Sequence, residues 1–374
     1  MTETASSASS RDSGERGDKA IGVLTRNLYL GADLGPVIAA RTPEAFVAAT
    51  TAMWQMVQKN DFRTRANALA AEIAQTRPAL IGLQEAVTWR TRSATTVDPE
   101  GDVAFDYIPL LLEAVEARGV RYREIARVDL LDIEGPTALG FNIRLTDHGA
   151  ILARADVHAV NGKGIVFGTI LTIDTLAGPV AIKRGWVSAD VEHRGEQLRF
   201  VSTHLESFNA LIRTAQAGEL RTALANEPRP VIVLGDLNSH PGTEGEAVLA
   251  AAGFEDVWAA LHGRRAGLTC CFLEDLTKVQ GAALTERIDY VLVRGGLEPR
   301  NARVLGANRG SRVGGLWPSD HAGLFASIRL ESGRRVSAAG AGSDRAAAAH
   351  CRIPLGGFLL AQRALRLTTA ETRC

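Results

Sequence analysis

The chain has 374 residues, 42 of them Lys or Arg and 42 Asp or Glu, so its formal net charge is zero. That length allows a sizeable core, in one large α/β domain or two smaller ones. Balanced charge argues against gripping nucleic acid through a broad basic field, although it leaves room for a local basic patch.

Residues 1–19 are polar and Ser-rich and lack an apolar h-region, so as written they are not a signal peptide and read as a disordered leader. With that start the expected location is the cytoplasm; a start further upstream would make the protein secreted. No apolar run reaches the length of a transmembrane helix. An apolar strand begins at Ile21 and is followed by Arg26 and Asn27. An Asn in that place is either a turn residue or a polar site residue. Residues 43–59 carry a helical pattern, and 62–75 a second one with Phe62, Ala66, Leu69 and Ile73 on one face. Arg77-Pro78 stops it. A buried strand over 79–83 then runs into Gln84 and Glu85. A loop is expected over 91–106 and a helix over 107–118.

From 121 to 205 the pattern changes to short β runs at 122–128, 150–153, 164–172, 180–191 and 197–203. Asn161-Gly162 and residues 176–178 are hairpin signals between them. The last run leads into His204 and Glu206, and a helix over 209–225 follows. Val231 to Leu234 are apolar without interruption, which marks a strand buried on both faces. It ends at Gly235, and Pro241-Gly242 forces a turn. Between those points stand Asp236 and Asn238, which on extended backbone would share a side. The plainer reading makes both of them turn formers. A β run over 286–293 embeds Asp289, and Ser319-Asp320-His321 precedes a final strand over 324–330. Residues 331–374 shift to Ala, Gly, Ser and Arg and read as a mostly disordered tail, with a short amphipathic helix at 356–367. There is no internal repeat, and one domain over 20–330 is expected.

The four cysteines, Cys270, Cys271, Cys351 and Cys374, lack the spacing of a zinc site. Adjacent Cys270 and Cys271 are too close to bridge easily, so reduced, partly buried thiols are expected. His148, His158, His193, His262 and His350 read as surface or turn residues, whereas His240, two positions past Asn238, is placed to touch a substrate. The tryptophans read as core or cleft wall.

Polar groups recur at strand ends: Asn27, Glu85, His204, Asp236 with Asn238, Asp289, and Asp320 with His321. Strand ends of an α/β sheet converge on one rim, where sites are built. Glu, Asp and Asn are hard oxygen donors suited to Mg²⁺ or Mn²⁺ rather than zinc. A His beside a carboxylate can act as general acid or base near neutral pH. Together they suit attack of water on a phosphoric ester.

The segments Thr25-Arg26-Asn27, Leu83-Gln84-Glu85, Ser202-Thr203-His204-Leu205-Glu206, Gly235-Asp236-Leu237-Asn238, Arg287-Ile288-Asp289-Tyr290-Val291 and Ser319-Asp320-His321 resemble, in order, the motifs of the endonuclease/exonuclease/phosphatase superfamily. The resemblance spans about residues 20–330. It implies an α/β four-layer sandwich of two mixed β-sheets packed face to face, with helices on both outer sides. It also implies Glu85 as principal Mg²⁺ ligand, with Asn27 and Asp320 near the metal. His321, oriented by Asp289, would activate water; Asp236 and Asn238 would position it and stabilise the transition state. His204 resembles a second catalytic histidine, with Glu206 and Asp147 as candidates for its carboxylate partner, and Arg184 matches a phosphate-contacting Arg. The expected substrate is a phosphoric ester in nucleic acid, a phospholipid head group or an inositol phosphate, and no protein partner is expected. A sphingomyelinase-like lipid phosphodiesterase is one alternative. A catalytically silent binding protein on the same fold is another, although such a chain would be expected to have lost Glu85, Asp236 or His321.

Overall fold

Along Val231–Asp236 the side chains alternate between two apolar clusters: Ile232 and Leu234 enter one, Val231 and Val233 the other. Asp289–Arg294 repeats the pattern, with Val291 and Val293 on the first side and Tyr290 and Leu292 on the second. A strand covered on both faces needs no polar alternation, which is why these runs are continuously apolar. The computed structural model describes residues 20–93, 101–176 and 178–330. The expected leader (1–19), the tail (331–374) with its helix at 356–367, His350, Cys351, Cys374 and Ala177 lie outside the described residues.

Two large mixed sheets form the frame. One has the strand order Leu297–Leu305, Gly323–Leu330, Ala20–Asn27, Leu80–Gln84, Phe141–Arg154, Thr88–Ser93, Asp102–Asp106, and Tyr122–Pro136 also pairs with Phe141–Arg154. The other runs Glu255–Asp256, Asp289–Arg294, Val231–Asp236, Glu196–His204, Gly185–His193, His158–Val166. Ile21, Val23, Leu80 and Ile328 of the first meet Val187, Ile232, Leu234 and Val291 of the second in the central core. Helices Pro43–Lys59, Phe62–Thr76 and Tyr107–Glu116 cover the outside of the first sheet through Trp54, Phe62, Leu69, Ile73 and Tyr107. Ala210–Ala223 and Glu244–Ala250 cover the second through Ala217, Leu220 and Leu249. The four-layer sandwich is therefore present.

Helix starts follow local chemistry. Thr42 caps Pro43–Lys59 by accepting from the Ala45 amide, Asp61 accepts from the amides of Arg63 and Thr64, and Asn209 from those of Leu211 and Ile212. Arg77, in the left-handed region, ends Phe62–Thr76 just before Pro78.

The sheets approach closely at Gly82, where a methyl group would collide with Leu234 and Ser202 of the opposite sheet. Gln84 Nε2 crosses the same interface to donate to Ser202 Oγ at 3.0 Å. Gly82→Ala is expected to destabilise the fold by about 1–3 kcal/mol, since overpacking forces backbone or rotamer shifts. Urea unfolding midpoints of the two proteins measure it, and an unchanged midpoint would contradict the close packing.

Several sequence expectations are corrected. The run at 180–191 is two strands, Gly178–Ile182 and Gly185–His193, with Lys183 and Arg184 in the break. The run at 164–172 is likewise divided, between His158–Val166 and Leu171–Thr175. Asn161-Gly162 is not a hairpin turn but lies inside His158–Val166, where the register with Gly185–His193 shifts and Asn161 has φ 54°. The expected loop over 91–106 contains paired strands, Thr88–Ser93 and Asp102–Asp106.

Candidate active site

Topology places the polar strand ends on one rim. Ala20–Asn27 and Leu80–Gln84 run parallel, with Asn27 opposite Gln84, so Asn27 and Glu85 leave their sheet at the same end. Gly323–Leu330 runs antiparallel to Ala20–Asn27, with Leu324 opposite Thr25, which brings the preceding Asp320 and His321 to that end as well. In the second sheet His204 pairs with Asp236, and Asp236 with Asp289, so three site candidates stand in one row on adjacent strands. Asp289 is the first residue of its strand rather than embedded in it.

The two sheets meet chemically at Asn27. Its Nδ2 donates to Glu85 Oε1 and to Asp236 Oδ2, each at 3.2 Å. Those two carboxylate oxygens are therefore no farther apart than twice 3.2 Å. Asn27 Oδ1 accepts from the Tyr29 amide at 2.9 Å, and Glu85 Oε2 accepts from the Leu30 amide at 2.8 Å. Tyr29, Glu85 and Asn238 all have left-handed φ, at 59°, 50° and 47°. Non-glycine residues adopt that region at a cost and tend to cluster where function fixes the backbone.

The Asp236 carboxylate has two partners of different kinds. Oδ1 accepts from the Asn238 amide at 2.9 Å, which closes a local turn. Oδ2 faces Nε2 of His204 at 3.6 Å and Nε2 of His321 at 3.8 Å. One side chain thus both closes the turn and faces the two histidines. Asn238 has left the strand, and its Nδ2 donates to the Leu205 carbonyl at 3.0 Å, so the shared-side argument from extended backbone does not hold for it.

The histidines differ in charge state. Burial disfavours a charged His321, but Asp289, Asp320 and Asp236 outweigh it and hold its pKa well above the ordinary 6.5. Its Nδ1 pairs with Asp289 Oδ2 at 2.9 Å, leaving Nε2 for the site. His204 is held well below 6.5 by burial, then by Arg184 and His321. Arg184 Nη1 lies 3.0 Å from His204 Nδ1; since a guanidinium only donates, the neutral ring carries its proton on Nε2. Neither Glu206 nor Asp147 partners His204, which faces Arg184 and Asp236 instead. Glu206 Oε1 accepts from the Phe208 amide, and Asp147, pushed up to about 7 by burial, feels Arg184 through space.

The sequence profile of the Endonuclease/Exonuclease/phosphatase family matches residues 55–321. The chain belongs to that family. No curated protein sequence matches the chain. Among solved structures it is similar to an endonuclease/exonuclease/phosphatase family protein from Leptotrichia buccalis (16% identity, 83% of this chain and 100% of that one, TM-score 0.53). A Bacteroides thetaiotaomicron family protein is similar at 15% identity, with 84% and 99% covered and TM-score 0.53. D. rerio TDP2 complexed with a single-strand DNA product is similar at 17% identity, with 84% and 100% covered and TM-score 0.52. At these identities the likeness is one of fold. The Endonuclease/Exonuclease/phosphatase family is in general one of phosphoric-ester hydrolases, typically dependent on a divalent metal.

The donor set here fits the hard cation that the Endonuclease/Exonuclease/phosphatase family implies. Glu85, Asp236, Asp289 and Asp320 share the rim, with His321 among them and Lys183 and Arg184 in the wall of the cleft beside Glu85 and Asp320. Burial and the neighbouring Asp289 push Asp236 up to about 7, and burial with Glu85 pushes Asp320 up to about 6. Carboxylates that resist charging because they are buried, and then because they face one another, gain from a divalent ion among them. Asp289 Oδ1 is also buried and has no hydrogen-bond partner among the described residues. Asp236, Asp289 and His321 bring ligand atoms within 4.8 Å of one another. A hard ion favours the carboxylate oxygens of that group over its imidazole.

Sequence reading missed the residues that hold this rim. Arg65, fully buried, donates to the carbonyls of Leu28, Tyr29, Asn60 and Pro318, tying the Asn27 exit to the loop before Asp320. Arg26 donates to the His321 carbonyl and pairs with Glu72. Thr269 Oγ1 accepts from the Asp289 amide, and Ser319 Oγ donates to the Asn27 carbonyl. His148 is buried, bound to Asp129 and Thr88, rather than on the surface. His240 is exposed and lies 4.0 Å from Glu286. Cys270 and Cys271 are joined as a disulfide instead of standing as free thiols.

Proposed function

We propose that the chain hydrolyses phosphoric esters with Mg²⁺ or Mn²⁺, using water activated by His321 and Asp289. One observation carries the reading. His321, anchored at Nδ1 by Asp289, presents Nε2 3.8 Å from Asp236, which a single Asn27 amide joins to Glu85. Glu85 would be the principal ligand, with Asp320 beside it. Asn27 fixes Glu85 against Asp236 and keeps only its second Oδ1 lone pair for an ion. When bound, the cation would offset charge on the phosphoryl oxygens and weaken the acids' hold on the His321 proton.

His321 Nε2 then takes the proton of the attacking water, and Asp289 steadies the imidazolium that results. Asp236 Oδ2 orients that water, and the Asx turn through Asn238 fixes the carboxylate. His204, neutral with Nε2–H, donates toward the phosphoryl or leaving oxygen, while Arg184 holds its tautomer and lends charge to the cleft. Ser207 Oγ accepts from Arg184 Nη2 at 3.2 Å and orients it.

Substrate is the finer question. DNA is the first candidate, because a TDP2 structure of the same fold carries a single-strand DNA product. A second reading, the lipid phosphodiesterase, is favoured by a cavity of about 220 Å³ lined by Phe46, Met53, Trp89 and Ile143. It shares Leu34, Leu131 and Ile182 with the wall of the catalytic cleft. Turnover of DNA, RNA, sphingomyelin, inositol phosphates and bis-p-nitrophenyl phosphate, with Mg²⁺ and with EDTA, tests both. Hydrolysis of at least one substrate is expected with Mg²⁺, lost in EDTA and restored by excess metal. Turnover indifferent to EDTA, or none of any ester, overturns the proposal.

A further inference from the structure

The Cys270-Cys271 pair takes no part in the hydrolytic scheme, yet it touches that scheme's base. Cys270 Sγ lies 3.4 Å from His321 Nε2, and ligand atoms of Cys270, Cys271 and His321 all fall within 4.8 Å of one another. We propose that these three residues form a soft-cation site of the kind that takes Zn²⁺, opened by reduction of the cysteine pair. Filling it shuts down hydrolysis. That second half rests on the reading of His321 as the base; the site itself does not.

The placement is built in from both sides. The Phe272 amide donates to the Asp320 carbonyl at 2.7 Å, and the Ala322 amide to the Thr269 carbonyl at 2.6 Å. The cysteine segment is thus bracketed against the loop that carries His321, and Cys270 Sγ already faces the ring, so that reduction has only to let the two sulfurs part. Asp289 occupies Nδ1, so the ring's remaining nitrogen is the one toward sulfur. A carboxylate on the far nitrogen is also how metal-bound imidazoles are commonly oriented. Cys270 is buried and Cys271 exposed, which gives a reductant or an ion a route from solvent. Two thiolates and an imidazole suit Zn²⁺, with Asp236 Oδ2 3.8 Å from the same Nε2 as a further donor. Glu85 and Asp320 offer oxygen alone, so the two kinds of cation sort themselves by ligand softness.

Reduction by a trialkylphosphine balances as follows. The S–S bond breaks, phosphorus gains the oxygen of one water as phosphine oxide, and two electrons with that water's protons give two thiols. Zn²⁺ then binds both sulfurs and releases the two thiol protons to solvent.

The test uses the full chain, phosphine-reduced and desalted without oxygen, beside the unreduced protein. Co²⁺ serves as the probe because sulfur ligation gives a near-ultraviolet charge-transfer band that oxygen ligands at Glu85 do not. The band is expected in reduced protein only, bleached by Zn²⁺, and absent from the Cys270→Ser/Cys271→Ser double variant. Cys271→Ser alone, altering an exposed side chain, should weaken Co²⁺ binding by at least about tenfold even if the double variant misfolds. With Mg²⁺ in excess, one equivalent of Zn²⁺ should cut hydrolysis by the reduced protein by about a hundredfold, the scale of losing a general base. A reduced protein without the band, or a band that survives in Cys271→Ser at unchanged affinity, overturns the site. Equal inhibition of reduced and unreduced protein, or a band with no inhibition, overturns the shutdown. Because the band is read without substrate, it separates failure of this proposal from failure of the hydrolytic one.

Discussion

Glu85→Gln lowers hydrolysis by about a hundredfold or more at fixed Mg²⁺ and raises the Mg²⁺ concentration needed for half-maximal rate. The substitution removes one negative charge while keeping the length and planarity of the side chain. Oε2 accepts from the Leu30 amide and Oε1 from Asn27, and a carboxamide can keep only one of these two contacts in place. The side chain is half-buried, so the fold should survive, and circular dichroism checks this. Titration of rate against Mg²⁺ separates the effects: a ligand's loss moves the metal dependence, whereas a positioning role lowers the plateau alone. Unchanged rate and metal dependence would remove Glu85 from the centre of the site.

His321→Ala should lower kcat by about 10²–10⁴-fold, the usual contribution of a positioned general base. The backbone at that point does not depend on the ring, because the His321 amide donates to Ser319 Oγ and its carbonyl accepts from Arg26. The variant should also lose the rise in rate with pH that marks deprotonation of a base. Stability supplies a second readout in metal-free protein. Since the acids hold the native pKa of His321 above the unfolded value of 6.5, native protein binds the proton more tightly. The ion pair's stabilisation is then full below about 6.5 and fades as pH rises through the raised value. Wild type should therefore lose stability over that window and His321→Ala should not. A variant that keeps its rate and its pH profile would show that another group takes the proton.

Continuous apolar runs revealed the buried strands, and polar residues at their ends revealed the rim. Val231 to Leu234 followed by Asp236 held both signals in a few residues. The face that each polar residue presents was less legible, because it depends on backbone just past the strand. Asn238 and Glu85 turn into left-handed conformations there, and alternation says nothing about a residue outside the ladder. Buried cations were invisible for another reason. Arg65 stands beside the apolar face of a helix and resembles a surface arginine until its guanidinium is seen collecting carbonyls from three loops. His148 was misread in the same way, because Asp129 and Thr88 satisfy its ring from other strands. The soft-ligand group at Cys270 could not be found by spacing, because its third donor, His321, lies 51 positions away. Asn161-Gly162 carries a true turn signal, but Val160 and Lys163, before and after it, pair with the same strand, Gly185–His193, and make it a bulge.

The site stands or falls on whether a hard divalent ion sits at Glu85. Anomalous diffraction from Mn²⁺-soaked crystals reads this directly. A peak is expected within about 2.5 Å of a Glu85 carboxylate oxygen, with Asp320 on its border, and should vanish in Glu85→Gln. A strong peak elsewhere with none at Glu85, or no bound Mn²⁺ along the rim, would contradict it.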